Sequence, residues 1–202
     1  EMCIRDRIET DPRWAPRACL DVARLLVDHA HCEMKAASNA LSLSGRALEH
    51  RDVMRELVDI AQEELGHFRE VLIELERRDL ALGPPEEDWY AAELRRRVAR
   101  DRKQHHDANV ILADRLLVGA LIEARSCERF KLLEKALQGS DAGLAAFYGQ
   151  LLAAEARHHR IFVELAERVT RDQRATRERL AAVAAIEASV ISELGCEPTV
   201  HG

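Results

Sequence analysis

Apolar residues recur along most of this chain at intervals of three and four, the spacing that places side chains on one face of an α-helix. No segment of any length alternates apolar and polar residues as a half-buried strand does. We therefore expect an all-α fold whose helices end where glycine, proline and serine interrupt the pattern. The predicted helices run from just after Pro16 to about Leu43, and over about Leu48–Arg78, Glu86–Lys103, His106–Leu137, Ala142–Arg168 and Asp172–Glu193.

The breaks between these helices predict their connectivity. Ser44-Gly45 and Gly139-Ser140-Asp141 are short connections, so the first two long helices form one antiparallel hairpin and the next two form another. The segment from about Arg78 to His105, with its Gly83-Pro84-Pro85 breaker, is then a long crossover between the hairpins. This connectivity predicts a ferritin-like four-helix bundle with an extra C-terminal helix.

Composition agrees with one helical domain over residues 1–202, with residues 1–13 irregular or artefactual because they lack a periodic pattern. Apolar residues make up 47% of the chain and aromatic residues 4%. The net charge of −6 argues against a general nucleic-acid binder but allows local basic patches. The sequence shows neither a membrane-length apolar run nor a signal pattern, and its five cysteines form no CxxC pair, so we expect a cytoplasmic protein with free thiols.

Two Glu-x-x-His motifs interrupt apolar helix faces. Glu64 and His67 lie in the core stripe of the second long helix, and Glu155 and His158 lie in that of the fourth. Residues three apart share a helix face, so each motif presents a carboxylate and an imidazole together. One such motif on its own is more often structural than functional.

Each motif is preceded by a single glutamate on the partner helix of its hairpin. Glu33 lies 31 positions before Glu64, and Glu123 lies 32 positions before Glu155, both within apolar stripes. Four buried carboxylates are prohibitively costly if they stay charged and unpaired. Two metal ions bound by these oxygen and imidazole ligands remove that cost, as in di-iron and di-manganese carboxylate bundles. The predicted ligands are Glu33, Glu64, His67, Glu123, Glu155 and His158.

Neighbouring polar residues receive other interpretations. Glu63 and Glu128 lie on different helix faces from the ligands and are predicted to be solvated or to support the site from outside. The remaining histidines, His29 among them, lack a comparable pattern and are predicted to lie at the surface or to support the ligands. Tyr148 could face the site but is more often a packed core residue, and Cys32 and Cys127 are taken as structural thiols.

Four segments, His29–Ala37, Glu63–Phe68, Leu121–Phe130 and Glu155–His158, resemble the tRNA 2-methylthio-N6-isopentenyladenosine hydroxylase family. The resemblance extends from about Trp14 into the C-terminal tail, and the string Ile122–Phe130 is its most specific part. The tail around Gly195–Pro198 is less basic and less aromatic than the family pattern.

The resemblance implies a non-haem di-iron monooxygenase. Its substrate would be the isopentenyl group of the modified adenosine next to the anticodon of tRNA, and the six residues above would correspond to the family's iron ligands. The implied cofactors are two iron ions, with manganese not distinguished by the ligand set, and O2 as co-substrate. An external electron donor, an unidentified reductase or ferredoxin, is also implied.

A tRNA substrate requires cations near the phosphates of the anticodon loop. The basic run of the crossover is the first candidate, with Arg95, Arg96, Arg97, Arg100, Arg102 and Lys103. A second candidate run contains Arg171, Arg174, Arg177 and Arg179. Either run could equally be a solvated helix face balanced by acids.

Three other functions fit the same bundle. The first is a ferritin-like or rubrerythrin-like protein that handles iron or peroxide, although the rubredoxin-type cysteine module of rubrerythrins is absent from the sequence. The second is a di-iron oxygenase or deformylase of a small apolar substrate, which requires a long apolar channel instead of an arginine-rimmed pocket. The third is a non-enzymatic bundle with satisfied buried carboxylates.

Overall fold

The computed structural model describes residues 8–102 and 107–200, and the regular elements there are all helices. Lys103 and the predicted helix start at His106 lie outside the described residues. The helices are α1 (Trp14–Ala18), α2 (Val22–Ser44), α3 (Arg51–Arg77), α4 (Trp89–Asp101), α5 (Ala108–Leu137), α6 (Ala142–Thr170) and α7 (Gln173–Ile191). The predicted all-α fold is confirmed.

Aspartate side chains fix the start of five of these described helices. Each accepts a hydrogen bond from a backbone N–H in the first turn, which has no partner within the helix. The capping residues are Asp21 for α2, Asp88 for α4, Asp107 for α5, Asp141 for α6 and Asp172 for α7.

The prediction of one continuous helix from just after Pro16 was wrong. Helix α1 begins earlier, at Trp14, and ends at Ala18, and α2 begins only at Val22. Asp21 breaks the pattern, because its backbone leaves the helical region and its side chain accepts a hydrogen bond from Arg24 N at 3.1 Å. The short α1 thereby turns into the core, where the buried indole of Trp14 donates to Thr199 O at 3.1 Å.

The four long helices form the two predicted hairpins, α2 with α3 and α5 with α6. Two apolar clusters fill the bundle at different heights. One, the Trp14 cluster, includes Leu26 and Val71; the other, the Leu57 cluster, includes Leu43. On each long helix the polar residues predicted as ligands lie between a stretch that joins one cluster and a stretch that joins the other. The packing therefore leaves one polar layer in the middle of the core.

Helices α4 and α7 form an outer layer on α5. Tyr90 and Leu94 of α4 pack with Val183 and Val190 of α7 against Leu121 of α5. The crossover therefore carries α4 along the outside of the second hairpin, and α7 is the predicted extra C-terminal helix. In the described part of the chain, no helix is both long and apolar enough to cross a membrane.

A fully buried ion pair ties the outer layer to the bundle. Arg125 of α5 donates from Nε and Nη2 to Glu187 Oε1 of α7, at 2.9 and 2.7 Å, and Tyr90 donates its hydroxyl to the same oxygen at 3.1 Å. Arg125 also donates to Ile8 O at 2.9 Å and pairs with Glu128. The polar residues of the string Ile122–Phe130 thus hold α4, α7 and the N-terminal segment in place.

The C-terminal tail is bound against the bundle. Val200 N donates to the buried Asp28 Oδ2 at 2.6 Å, and Arg129 Nη1 donates to Val200 O at 2.5 Å. The guanidinium of Arg129 also lies 4.6 Å from the ring centroid of Trp14. Hydrogen bonds to its backbone atoms hold this tail against the bundle. The tail can therefore pack there with few basic or aromatic side chains.

The buried ion pair should dominate the stability of the outer layer. We expect Glu187→Ala to lower the free energy of unfolding by about 3 kcal/mol or more, because it leaves a buried guanidinium without its main counter-charge. Glu193→Ala is the matched control: Glu193 also pairs with an arginine, Arg97, but its side chain is 49% exposed, so the loss should stay below about 1 kcal/mol. Urea unfolding followed by circular dichroism measures both, and equal losses would contradict the assignment.

Candidate metal centre

The structure brings all six predicted ligands together in the polar layer of the bundle. Their oxygen and nitrogen atoms form two overlapping groups, in each of which one atom from every residue lies within 4.8 Å of the others. Glu64 belongs to both groups, so it would help to hold both ions. The first group is Glu33, Glu64, His67 and Glu155, and the second is Glu64, Glu123 and His158.

Both imidazoles turn Nδ1 towards these carboxylates. His67 Nδ1 lies 3.2 Å from Glu64 Oε2, and 3.8 Å from both Glu33 Oε2 and Glu155 Oε1. His158 Nδ1 lies 2.6 Å from Glu64 Oε1, and the two rings lie 5.8 Å apart between centroids. One nitrogen donor therefore stands on each side of Glu64.

Several buried atoms of this layer lack a hydrogen-bond partner within the described residues. One is Glu155 Oε1, and the others are Glu64 Oε1 and His158 Nδ1, which approach each other to 2.6 Å without the alignment of a hydrogen bond; all three are shielded from solvent. An unpaired buried polar group costs about 1–3 kcal/mol, and more when it is charged. All three atoms are lone-pair donors of the kind that iron and manganese bind, so the residues fit a pair of such ions.

The acids of this layer repel one another strongly. Burial raises the pKa of Glu123 to about 7, with the charge of Glu64 adding to the effect. Burial and the charge of Glu123 raise the pKa of Glu155 well above its ordinary value. Burial would also raise the pKa of Glu33, yet hydrogen bonds from His29 and His67 outweigh it and hold that pKa below its ordinary range.

The histidines respond in the opposite sense. Burial alone would lower the pKa of His67, but Glu33 and Glu64 outweigh it and raise the pKa to about 10. Burial alone would likewise lower the pKa of His158, but Glu64 outweighs it and the pKa is raised to about 9. The layer thus attracts positive charge, which either protons or metal cations can supply.

A carboxylate outside the layer orients His158. Its Nε2 lies 3.0 Å from Glu63 Oε2, and Arg157 pairs with the same oxygen. A metal-binding histidine usually donates its second ring nitrogen to such an acceptor, which leaves the first free to ligate. Glu63 was predicted either to be solvated or to support the site from outside, and this contact favours the second role. The contact joins α3 to α6, so spacing along the chain gave no signal for it.

His29 supports Glu33 in a similar way. Its Nε2 lies 2.6 Å from Glu33 Oε1, and its fully buried ring stacks on Tyr148 at 5.5 Å and 24°. The separation of four residues on one helix could have indicated this pair from the sequence. Tyr148 is a packed core residue, as expected, but its hydroxyl meets no hydrogen-bond partner in the described part of the chain.

Two neighbours of the ligands play structural roles. Glu128 pairs with Arg125 and accepts a hydrogen bond from Thr10 N at 2.8 Å, which anchors the N-terminal segment. Cys127 is half-buried, and its thiol lies 3.8 Å from Leu152 O. Neither residue belongs to the two candidate metal groups.

A cavity runs from the metal layer towards the surface between α2, α4 and α5. Its inner wall includes Glu33, Glu123 and Glu155, and its outer wall includes Asn39 and Arg95. A second cavity shares these last two residues and continues outwards. The further residues that line the second cavity are Val98, Ala99, Arg102, Asp114, Arg115 and Val118.

The structure separates the members of the basic run of α4. Arg95 lines both cavities, whereas Arg96 pairs with Glu93, and Arg97 pairs with Glu93 and Glu193. Arg100 is exposed and lines neither cavity. Lys103 lies outside the described residues.

The second basic run is paired with acids as well. Arg179 donates to Asp114 Oδ1 at 2.8 Å and pairs with Asp101, and Arg177 lies 3.5 Å from Glu167. Most of these charges therefore balance acids within the protein.

Two known proteins that are similar to this chain carry the same name. A tRNA 2-(methylsulfanyl)-N(6)-isopentenyladenosine(37) hydroxylase of Pseudomonas putida is 43% identical over 157 residues, covering 78% of this chain and 72% of that protein. A hydroxylase of the same name from Salmonella typhimurium is 33% identical over 129 residues, covering 64% of this chain and 44% of that protein.

A solved structure shares the whole fold. It is described as protein 43 with aldehyde deformylating oxygenase activity from Synechococcus, and it matches with a TM-score of 0.86 and 33% identity over 98% of this chain and 96% of that one. The ferritin-like bundle is thereby confirmed. The family described as tRNA-(MS[2]IO[6]A)-hydroxylase (MiaE) matches residues 6–202. This chain therefore belongs to that hydroxylase family.

Proposed function

We propose that this protein hydroxylates the isopentenyl group of 2-methylthio-N6-isopentenyladenosine next to the anticodon in tRNA. The observation that carries the proposal is the convergence of two Glu-x-x-His motifs and two further glutamates in one buried layer, in a chain of this hydroxylase family. The proposed ligands of two iron ions are Glu33, Glu64, His67, Glu123, Glu155 and His158.

When bound, the iron pair supplies the activation of O2 that insertion into an allylic C–H bond requires. One oxygen atom enters the substrate and the other leaves as water, so electrons and protons must come from an external donor such as a reductase or ferredoxin. The chain's own residues hold the ions and shape the space beside them. Gly119, Ile122 and Phe130 line the inner cavity next to Glu123 and provide an apolar wall for a prenyl group. A tRNA-modifying role is consistent with the cytoplasm.

Deformylation of an aldehyde is the second candidate, because the structural neighbour described as having that activity shares the whole fold. A long-chain aldehyde needs a long apolar channel. The cavity here instead reaches the surface past Lys35, Asn39 and Arg95. This polar outer wall favours a charged substrate such as RNA over a long-chain aldehyde.

The proposed reaction is tested by mass spectrometry of nucleosides from tRNA bearing the modified adenosine, after incubation with iron-loaded protein, reductant and O2. We expect the nucleoside to gain one oxygen. Glu123→Ala should abolish the gain while the helical circular dichroism remains, since it removes a ligand and relieves acid repulsion. Glu70→Ala, an exposed glutamate of α3, is the control and should keep full activity. Conversion of a fatty aldehyde without any oxygen gain on tRNA would favour the second candidate.

Orientation of His158 by Glu63 gives a second prediction. Glu63→Gln should weaken iron binding by about 10–100-fold, because His158 loses the charged acceptor that fixes its ring. Competition with a chelator measures this affinity. Arg157→Ala removes the other partner of Glu63 but keeps the contact with His158, so its iron affinity should change far less. Equal losses in the two variants would contradict an orienting role.

Raised pKa values in the metal layer predict how stability depends on pH. Folding of the metal-free protein strengthens proton binding at His67, whose pKa rises from 6.5 to about 10, and at Glu123, whose pKa rises from 4.5 to about 7. This stabilisation is complete below the unfolded values and is lost as pH rises through the folded ones.

The free energy of unfolding of the metal-free protein should therefore fall between pH 6.5 and about 10, the ordinary and shifted values of His67. In iron-loaded protein the ligands have already given up their protons, so the fall should be much smaller. Urea unfolding at a series of pH values, with and without iron, measures the difference. A metal-free protein that gains stability with pH would refute the expectation.

A further inference from the structure

The route from the metal layer to the surface has a defined outer end. The inner cavity begins at Glu123, Glu155 and Glu33, and the outer cavity continues from the shared residues Asn39 and Arg95. The two together form one cleft between α2, α4 and α5, which we call the access cleft. In its inner part Ile122 and Phe130 lie beside the carboxylates, whereas Arg102 and Arg115 line only its outer part.

The arginines of the outer cleft are poorly neutralised. Arg95 and Arg115 both line it, and the side chain of neither forms an ion pair or hydrogen bond with the described residues. Arg46, two residues beyond the end of α2, lines neither cavity, but its side chain is exposed, is equally unpaired in that part of the chain, and acts electrostatically on Arg115. Arg102 lies 3.4 Å from Asp114 Oδ2, but its buried Nε meets no hydrogen-bond partner among the described residues.

These side chains act on one another electrostatically. Burial lowers the pKa of Arg115, and the charges of Arg46, Arg102 and Arg95 lower it further. Arg96 and Arg97 on the same helix differ, because both are paired with acids. Although the net charge of the chain is −6, the outer cleft therefore concentrates positive charge.

We propose that the phosphates of the tRNA anticodon loop bind Arg46, Arg95, Arg102 and Arg115 at the outer cleft, and that the modified base enters the protein between α2, α4 and α5. The proposal rests on the proposed function and extends it to the route and the anchoring residues. Single-stranded loops offer splayed bases beside closely spaced phosphates, which suits a charged rim around a narrow cleft. The apolar tip of the prenylated base then reaches the wall formed by Ile122 and Phe130, beside the metal layer.

Binding of tRNA tests the rim independently of catalysis. In the iron-loaded protein, Arg95→Ala/Arg115→Ala should weaken tRNA binding by at least about tenfold at 0.1 M salt, roughly the loss of one or more charge-assisted hydrogen bonds. The slope of log Kd against log salt should also fall by about one to two, since two phosphate contacts are removed. Fluorescence anisotropy with labelled tRNA at several salt concentrations measures both.

The matched control is Arg55→Ala/Arg69→Ala, which removes two exposed arginines from α3. Helix α3 packs mainly on α2 and α6, and neither arginine lines the inner or the outer cavity. The control should bind tRNA nearly as the unaltered protein does. Equal weakening in the two double variants would overturn the proposal, because it would show only an effect of total charge.

A plug in the cleft tests the route itself. Asn39→Phe places a large ring where the inner and outer cavities meet. We expect tRNA binding and iron content to stay within about twofold of the unaltered protein, while hydroxylation falls at least about a hundredfold. Full hydroxylation by this variant would overturn the route, and tight binding by the arginine variant would overturn the rim. Failure of the unaltered protein to hydroxylate tRNA would instead overturn the proposed function.

Discussion

Repulsion among four buried carboxylates is the constraint on which this structure depends. Glu33, Glu64, Glu123 and Glu155 meet in one layer of the core, where burial and mutual charge raise the pKa of two of them. Such a layer is stable only when cations or protons enter it. The apolar clusters on both sides hold the layer in place, and His67 and His158 contribute nitrogen donors to it. Stability and chemistry are therefore linked, because the proposed iron ions would supply the positive charge that the layer otherwise takes from protons.

The supporting contacts of this layer are unequal although the two hairpins have similar ligand patterns. On the first hairpin, His29 holds Glu33 from the same helix. On the second, Glu63 holds His158 from across the bundle and connects it through Arg157 to the surface. One end of the centre is thus closed by stacked rings, whereas the other is joined to exposed charged groups. This asymmetry gives the two sides of the layer different surroundings even though their ligands match.

The spacing of residues along helix faces explains how much of the fold and of the candidate metal site could be predicted from the sequence. The six proposed ligands interrupt apolar stripes at fixed spacing, so their convergence followed from the sequence, as did both hairpins and the crossover. The break before α2 was missed because the apolar pattern continues through it, and only the capping geometry of Asp21 reveals it. Contacts between helices, such as Glu63 with His158, leave no periodic trace. Arg125 stood in the most specific string of the resemblance, yet its partner Glu187 is 62 residues away, so its structural role emerged only from the packing.

A shared bundle does not specify a shared substrate, because function resides in the site and in the route that leads to it. The structural neighbour described as an aldehyde deformylating oxygenase has the same architecture over nearly its whole length. Differences in substrate must then arise from the walls between the metal layer and solvent. In this chain the crossover helix α4 brings Arg95 and Arg102 to face Arg115 of α5. With those arginines in the outer part and Ile122 and Phe130 beside the carboxylates in the inner part, the cleft matches the order of the proposed prenylated nucleotide, whose phosphates would lie outermost and whose hydrocarbon tip would lie innermost.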